Sequence, residues 1–300
     1  MGHHHHHGEE NNQRALGISI GLNFLITAVE TAGGLLSGSL SLLSDALHNF
    51  SDAIALIISL IALRLGAREN SEDKTFGYKR AEIIAAFINS LALILISVFL
   101  FKEAFGRFAH PVEIKTGLML VVASIGLAAN AVSAFMLKSG AEENMNMRAA
   151  YLHLFSDALS SVGVILGALC IRYFGLPWVD PLLTVIIGAY VLYEGYQIAA
   201  GTLKVLMQYA PEGLDVRLIE KEINALPEVK NLHHLHVWTL SEHDIHLEAH
   251  INMAADLRLS DCCLFKEKVE HLLHERYDIN HATLQFEYNA CEGAGLIKKK

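Results

Sequence analysis

Six long apolar segments, at about residues 15–36, 40–64, 81–105, 113–137, 147–172 and 179–202, constrain this chain more than any other feature. Each is near the ~20 residues that an α-helix needs to cross ~30 Å of hydrocarbon. A backbone in lipid must satisfy its own hydrogen bonds, so helices are the expected spanning element and a lipid bilayer the expected surroundings. Pro111, Pro177 and Pro181 are assigned to connections, and Pro211 and Pro227 follow the last segment, as expected if helix interiors exclude proline. Small residues such as Gly33, Gly34, Gly163 and Gly167 suit close helix approach.

After residue 204 the pattern changes. Residues 205–300 hold ten Lys/Arg, sixteen Asp/Glu and nine of the 17 histidines, the composition of a soluble acidic domain. Val216, Ile219, Ile223 and Leu226 mark an amphipathic helix that Pro227 closes. Residues 231–240 alternate, and 244–251 place Ile245, Leu247, Ala249 and Ile251 opposite Asp244, His246, Glu248 and His250. Ser260 and Asp261 are expected to cap a second helix reaching about Tyr277. A last strand sets Ala282, Leu284, Phe286 and Tyr288 against His281, Thr283, Gln285 and Glu287. This order predicts a small α+β layer, with helices on one sheet face and polar groups on the other. The expected organisation is a His-rich tail over 1–14 (an expression tag or native), a six-helix transmembrane domain over 15–203, a soluble domain over 204–292 and a disordered tail over 293–300.

Basic residues set the orientation. Arg14, Arg64, Arg68, Lys74, Lys79, Arg80, Lys138, Arg148 and Lys204 flank one side of the spans, whereas Lys102, Arg107, Lys115 and Arg172 flank the other, which puts both termini in the cytoplasm. Cys170, Cys262, Cys263 and Cys291 show no paired spacing, in keeping with free cytosolic thiols. The net charge of −9 and the lack of a basic stripe argue against nucleic acid.

One motif occurs twice inside the apolar segments. His48-Asn49-Phe50-Ser51-Asp52-Ala53 and His153-Leu154-Phe155-Ser156-Asp157-Ala158 agree at five of six positions, 105 residues apart. On a helix, i and i+4 share a face, so each copy offers an imidazole and a carboxylate together. A charge at bilayer centre costs at least ~2.5–3.5 kcal/mol, which demands a partner or a function. Two such helices side by side would give His48, Asp52, His153 and Asp157 as a tetrahedral shell, and nitrogen with oxygen suits zinc among divalent ions. Asp45 lies one turn before His48 and is a candidate partner behind the shell or a stop for protons. Glu30 and Glu194 fit interhelical contacts or an aqueous cavity better than the shell itself. An intramembrane zinc enzyme and a metal-sensing membrane protein are the alternatives to a carrier. A filled shell leaves no position for catalytic water, and no H-E-x-x-H unit is present.

The run from Asn23 through Glu30, Gly34, Ser39-Leu40-Ser41-Leu42-Leu43-Ser44-Asp45-Ala46 and His48 to Asp52 resembles the first two helices of the cation diffusion facilitator family. Phe76-Gly77-Tyr78-Lys79-Arg80-Ala81-Glu82, the second His-x-x-x-Asp and His233-His234-Leu235-His236-Val237-Trp238 resemble its later signatures. The likeness spans about residues 13–292 and is nearest to the bacterial cobalt–zinc–cadmium efflux branch and vesicular zinc transporters. It implies six transmembrane helices, a cytosolic ferredoxin-like domain, a homodimer, a bacterial inner-membrane location and export of divalent metal, zinc foremost, against protons. It also implies cytosolic metal positions at His233, His250 and Glu287, with His281 a further candidate. Strand alternation alone places His233 with Leu235 and Val237, so its candidacy rests on the resemblance. Gln285 stands where a histidine ligand can occur. The connection Ala67–Phe76 has no histidine, so a further ion site known there in some relatives is expected to be weak or absent.

Overall fold

The computed structural model describes residues 6–66, 70–141, 145–241, 244–290 and 295–297. Six long helices come first: α1 (His6–Ser37), α2 (Leu40–Gly66), α3 (Ala81–Ala109), α4 (Thr116–Ala141), α5 (Met145–Phe174) and α6 (Val179–Leu206). Among the described residues four stretches, Ala81–Ala109, Thr116–Lys138, Ala150–Phe174 and Val179–Leu206, are long and apolar enough to cross a membrane. The chain divides into two compact units. One comprises residues up to Ile61 with Ile88–Ala199, the other Ala62–Phe87 with residues from Ala200 onward.

In the first unit many polar side chains are buried beside apolar clusters, and many large apolar side chains face outward. Ser90, Ser97, Asn130, Ser133 and Ser161 are buried, while Leu95, Phe99, Val132 and Phe135 are exposed. Apolar side chains turned outward meet lipid at no cost, and small or polar residues turned inward let helices approach and bond to one another. α2 shows this most plainly: Ser41, Ser44, Asp45, His48 and Asn49 are all buried, at the helical spacing of a single face. α1 packs on α4, and α4 on α5. Gly33 lies so near Val122 that an added Cβ would stand 2.6 Å from it, whereas Gly163 faces open space and so plays no such part.

Asp180 ties the start of α6 to the start of α2. Its carboxylate accepts from the Leu40 amide (2.9 Å), the Ser41 amide (3.2 Å) and the hydroxyls of Ser39 (2.6 Å) and Ser41 (2.7 Å). The first amides of a helix have no partner within it, so this carboxylate caps α2 from a distance, on the favourable end of its dipole. Arg107, near the end of α3, lies 3.9 Å from the same carboxylate and donates to the Gly38 carbonyl in the α1–α2 turn. Pro181, assigned to a connection from sequence, lies inside the first turn of α6, where a missing N–H costs nothing.

The second unit holds α7 (Val216–Asn224), β1 (Val229–Ser241), β2 (Asp244–Met253), α8 (Leu259–Tyr277) and β3 (His281–Tyr288). Its sheet runs β1-β2-β3, antiparallel between β1 and β2 and parallel between β2 and β3. Ile219, Ile223, Leu232, Leu247, Ile251, Phe265, Val269 and Leu273 form the core between helices and sheet. Asp215 caps α7 by accepting from the Arg217 amide. The cap expected for α8 is not formed: Arg258 stands at the cap position without a side-chain bond, and Ser260 lies inside the helix.

β1 departs from simple alternation. His234 has φ +49°, and the register shifts between His233↔His250 and His236↔Glu248. This bulge turns His233 onto the polar face beside His250, while Val237 still pairs with Leu247 in the core. The Leu235 amide, displaced from the ladder, donates to the Leu296 carbonyl at 2.9 Å, and Leu296 packs against the core. Residues 293, 294 and 298–300 of the expected disordered tail lie outside the described residues.

Replacing Asp180 by Ala leaves several buried donors without an acceptor, and the expected loss is about 3 kcal/mol of stability. Asp180→Asn should lose less. Unfolding of the two variants in detergent, followed by circular dichroism, measures both; Asp180→Ala as stable as the parent would remove the capping role.

Candidate metal site

α2 and α5 bring the two motif copies face to face. His153 Nε2 lies 3.2 Å from Asp52 Oδ2 and 3.6 Å from Asp157 Oδ2. His48 Nε2 lies 3.7 Å from Asp52 Oδ2 and 3.6 Å from Asp157 Oδ1, and the two rings are 5.8 Å apart. Each imidazole therefore faces one carboxylate of its own helix and one of the other. A tetrahedral ion with bonds of ~2.0–2.1 Å has ligand–ligand edges of about 3.4 Å, which these four nitrogen–oxygen separations approach. One oxygen each of Asp52 and Asp157 is buried with no hydrogen bond. Among the described residues of the two helices, His48, His153 and Asp157 offer ligand atoms all within 4.8 Å of one another, and Asp52 stands at the edge of that set.

Groups around the four fix their orientation. Glu194 Oε2 lies 3.6 Å from His48 Nδ1, and the Tyr190 hydroxyl donates to the same carboxylate. The Tyr190 ring stands edge-on to His48, centroids 5.7 Å apart. A carboxylate on Nδ1 leaves Nε2 as the free lone pair for metal. Sequence reading left Glu194 outside the shell and did not single out Tyr190; its i, i+4 spacing to Glu194 was the available signal. Asp45 is buried on the same face of α2 as His48 and accepts from the Ser160 hydroxyl at 2.6 Å, joining α2 to α5.

The single mismatch between the motif copies has a structural reason. Asn49 donates to the carboxylate of Glu30 (2.9 Å), which is fully buried and lies against Gly126, where any Cβ would overlap it. The equivalent Leu154 packs with Ala134 and Leu137. One copy thus faces a polar helix contact and the other an apolar one.

A second cluster forms on the polar sheet face. Glu287 lies 2.8 Å from His250 Nδ1 and 3.3 Å from His233 Nε2, and Gln285 donates to it at 2.8 Å. Burial pushes the Glu287 carboxyl up, but the His250 hydrogen bond and the charges of His250 and His233 outweigh it and hold the group below the usual glutamate range. His233, His234 and His250 present nitrogens within 4.8 Å of one another. Sequence reading did not choose His234; only the bulge brings it round. His281 is not part of this cluster. It pairs with His246, ring centroids 4.8 Å apart, six positions along β3 from Glu287, or roughly 20 Å.

Residues 16–207 match the cation efflux transmembrane domain, and residues 211–289 the cytoplasmic domain of cation efflux proteins. The cadmium, cobalt and zinc/H(+)-K(+) antiporter of Bacillus velezensis is 41% identical over 96% of this chain and 92% of its own length. The metal cation efflux system protein CzcD of Cupriavidus metallidurans is 38% identical over 94% and 89%. The zinc transporter ZitB of Escherichia coli is 36% identical over 94% and 90%.

Glu194→Ala frees His48 to rotate and change tautomer. Equilibrium dialysis of zinc against the purified protein should show affinity at the membrane site weaker by roughly 10-fold, with the fold retained. Unchanged affinity would mean that Glu194 does not orient the ring.

Proposed function

Because the chain belongs to the cation efflux family, we propose that it exports divalent metal, zinc foremost, from the cytoplasm across the bacterial inner membrane in exchange for protons. The observation that carries this reading is the interlaced arrangement of His48, Asp52, His153 and Asp157 on two helices of the membrane unit. The curated relatives named above are metal efflux proteins, zinc transporters and proton-coupled antiporters. Family membership makes the protein a transporter rather than the intramembrane enzyme considered from sequence.

The chemistry follows from the donor set. Neutral imidazoles and ionised carboxylates replace the water around the cargo ion as it enters from the cytoplasm. After the helices rock to open the site outward, protons compete for the same nitrogens and oxygens, expel the metal and return with the empty carrier. Moving a +2 ion outward against ~100 mV costs about 4.6 kcal/mol, and one returning proton offsets about half of it before any pH gradient counts. A passive pore cannot work against that force.

All six helices are taken to span, residues 15–203 to form the transport domain and residues 204–292 a ferredoxin-like cytosolic domain, with both termini in the cytoplasm. The protein works as a homodimer, a role supported by the match to the family's cytoplasmic domain. His233, His234, His250 and Glu287 are the donors for a regulatory or structural zinc there. In the α2–α3 connection Lys74 donates to the Tyr78 hydroxyl at 2.6 Å, and that fixed ammonium opposes a further ion in this loop.

In proteoliposomes with an imposed pH gradient, zinc uptake and proton release should be coupled. His153→Ala or Asp157→Asn should abolish both, while folding and zinc binding by the cytosolic cluster persist. Zinc flux without proton movement would refute antiport, and full flux in either variant would refute the site.

A further inference from the structure

The second unit contains a cavity of about 310 Å³ lined by Phe76, Lys79, Arg80, Gln208, Trp238 and Leu240. Its two cations are in different states. Lys79 Nζ lies 3.0 Å from Asp244 Oδ2, and Asp244 is held ionised, below its ordinary range, by the Ser241 hydroxyl foremost and then by Lys79. That pair is neutral overall. Arg80 has no carboxylate partner among the described residues, and its Nε is buried with no acceptor. A guanidinium N–H cut off from both water and acceptor is costly. Among the described residues the cavity therefore shows one positive charge without a carboxylate partner, beside the apolar surfaces of Phe76, Trp238 and Leu240.

Its depth is set by the spans. Arg80 directly precedes α3, and Gln208 comes two residues after α6, two helices long and apolar enough to cross a bilayer. The cavity thus lies where these helices leave the hydrocarbon, at the level of phospholipid headgroups, a region that aromatic and basic side chains favour.

We propose that this cavity binds an acidic phospholipid, with the phosphodiester on Arg80 and the glycerol backbone and first acyl carbons against Phe76 and Trp238. The guanidinium edge matches two phosphate oxygens, and the single negative charge of a phosphatidylglycerol equals the single charge left over on the cavity wall. Free inorganic phosphate carries more charge and no apolar part, so the neutralised Lys79 and the aromatic walls fit it poorly. The inference needs α3 and α6 to span, but it does not depend on the direction or coupling of transport.

The test uses the full chain, reconstituted in phosphatidylethanolamine with phosphatidylglycerol, extracted in mild detergent and examined by native mass spectrometry. The parent should retain phosphatidylglycerol about tenfold more than Arg80→Gln, and Arg80→Lys should recover part of it. Gln208→Glu, an isosteric change at an exposed lining residue, brings a carboxylate to Arg80 and should expel the lipid even if Arg80→Gln folds poorly. Millimolar inorganic phosphate should leave retention unchanged. Equal retention by the parent and Gln208→Glu would overturn the proposal, and displacement of the lipid by phosphate would show the site to be a phosphate site instead.

Discussion

Charged groups placed at membrane depth must find one another, and the rest of this structure depends on that constraint. Two imidazoles and two carboxylates lie between α2 and α5, each nitrogen facing oxygens from both helices. Neither helix could carry its pair into lipid alone without a penalty of several kcal/mol. Brought together they form a polar centre in which each imidazole faces both carboxylates, so the arrangement that makes the helices tolerable in the membrane is also the one proposed to hold the cargo. Carboxylate oxygens without hydrogen bonds at this centre leave acceptor capacity for a cation. Glu194 and Tyr190 then restrict which nitrogen of His48 is offered.

Around that centre the bundle buries serines and asparagines beside apolar clusters such as Leu42, Met119 and Val164, and turns many large apolar side chains outward. Such a core has little hydrophobic drive and relies on close approach and hydrogen bonds across helices. Asp180 supplies one set of these by capping α2 from α6, and Glu30 with Asn49 supplies another between α1 and α2. Both place buried acidic groups on α2's partners, so the helix that carries half of the candidate metal site is held at its start and along its buried face. The cytosolic sheet uses a different device. There a bulge gathers three histidines beside Glu287, and Leu296 takes up the amide that the bulge displaces.

Much of this was legible in the residues, because hydropathy and strand alternation are local properties. The six helices, the helix–strand–strand–helix–strand order and the motif carrying His48, Asp52, His153 and Asp157 follow from periods of 3.6 and 2.0 and from the cost of charge in lipid. Pattern reading failed where one residue broke the period. At His234 a left-handed backbone reversed the sidedness of His233, which alternation had placed in the core. It failed again at α8, where polar residues suited to capping lie within the helix. His281 shared the correct face with Glu287, but alternation gives a face and not a position along the strand, and the parallel register with β2 puts it beside His246.

The sequence by itself determined which side chains are the candidates for the chemistry, since a repeated imidazole and carboxylate one turn apart in apolar helices allow few other uses. Only the tertiary structure decided how they combine: which helices meet, why Asn49 and Leu154 differ between the two copies, and which acidic groups cap, orient or coordinate. The physical reason is range. Helical and strand periods are set by neighbours a few residues away, whereas the partner of a buried charge is chosen by packing between segments that lie as far apart in the chain as Ser39 and Asp180.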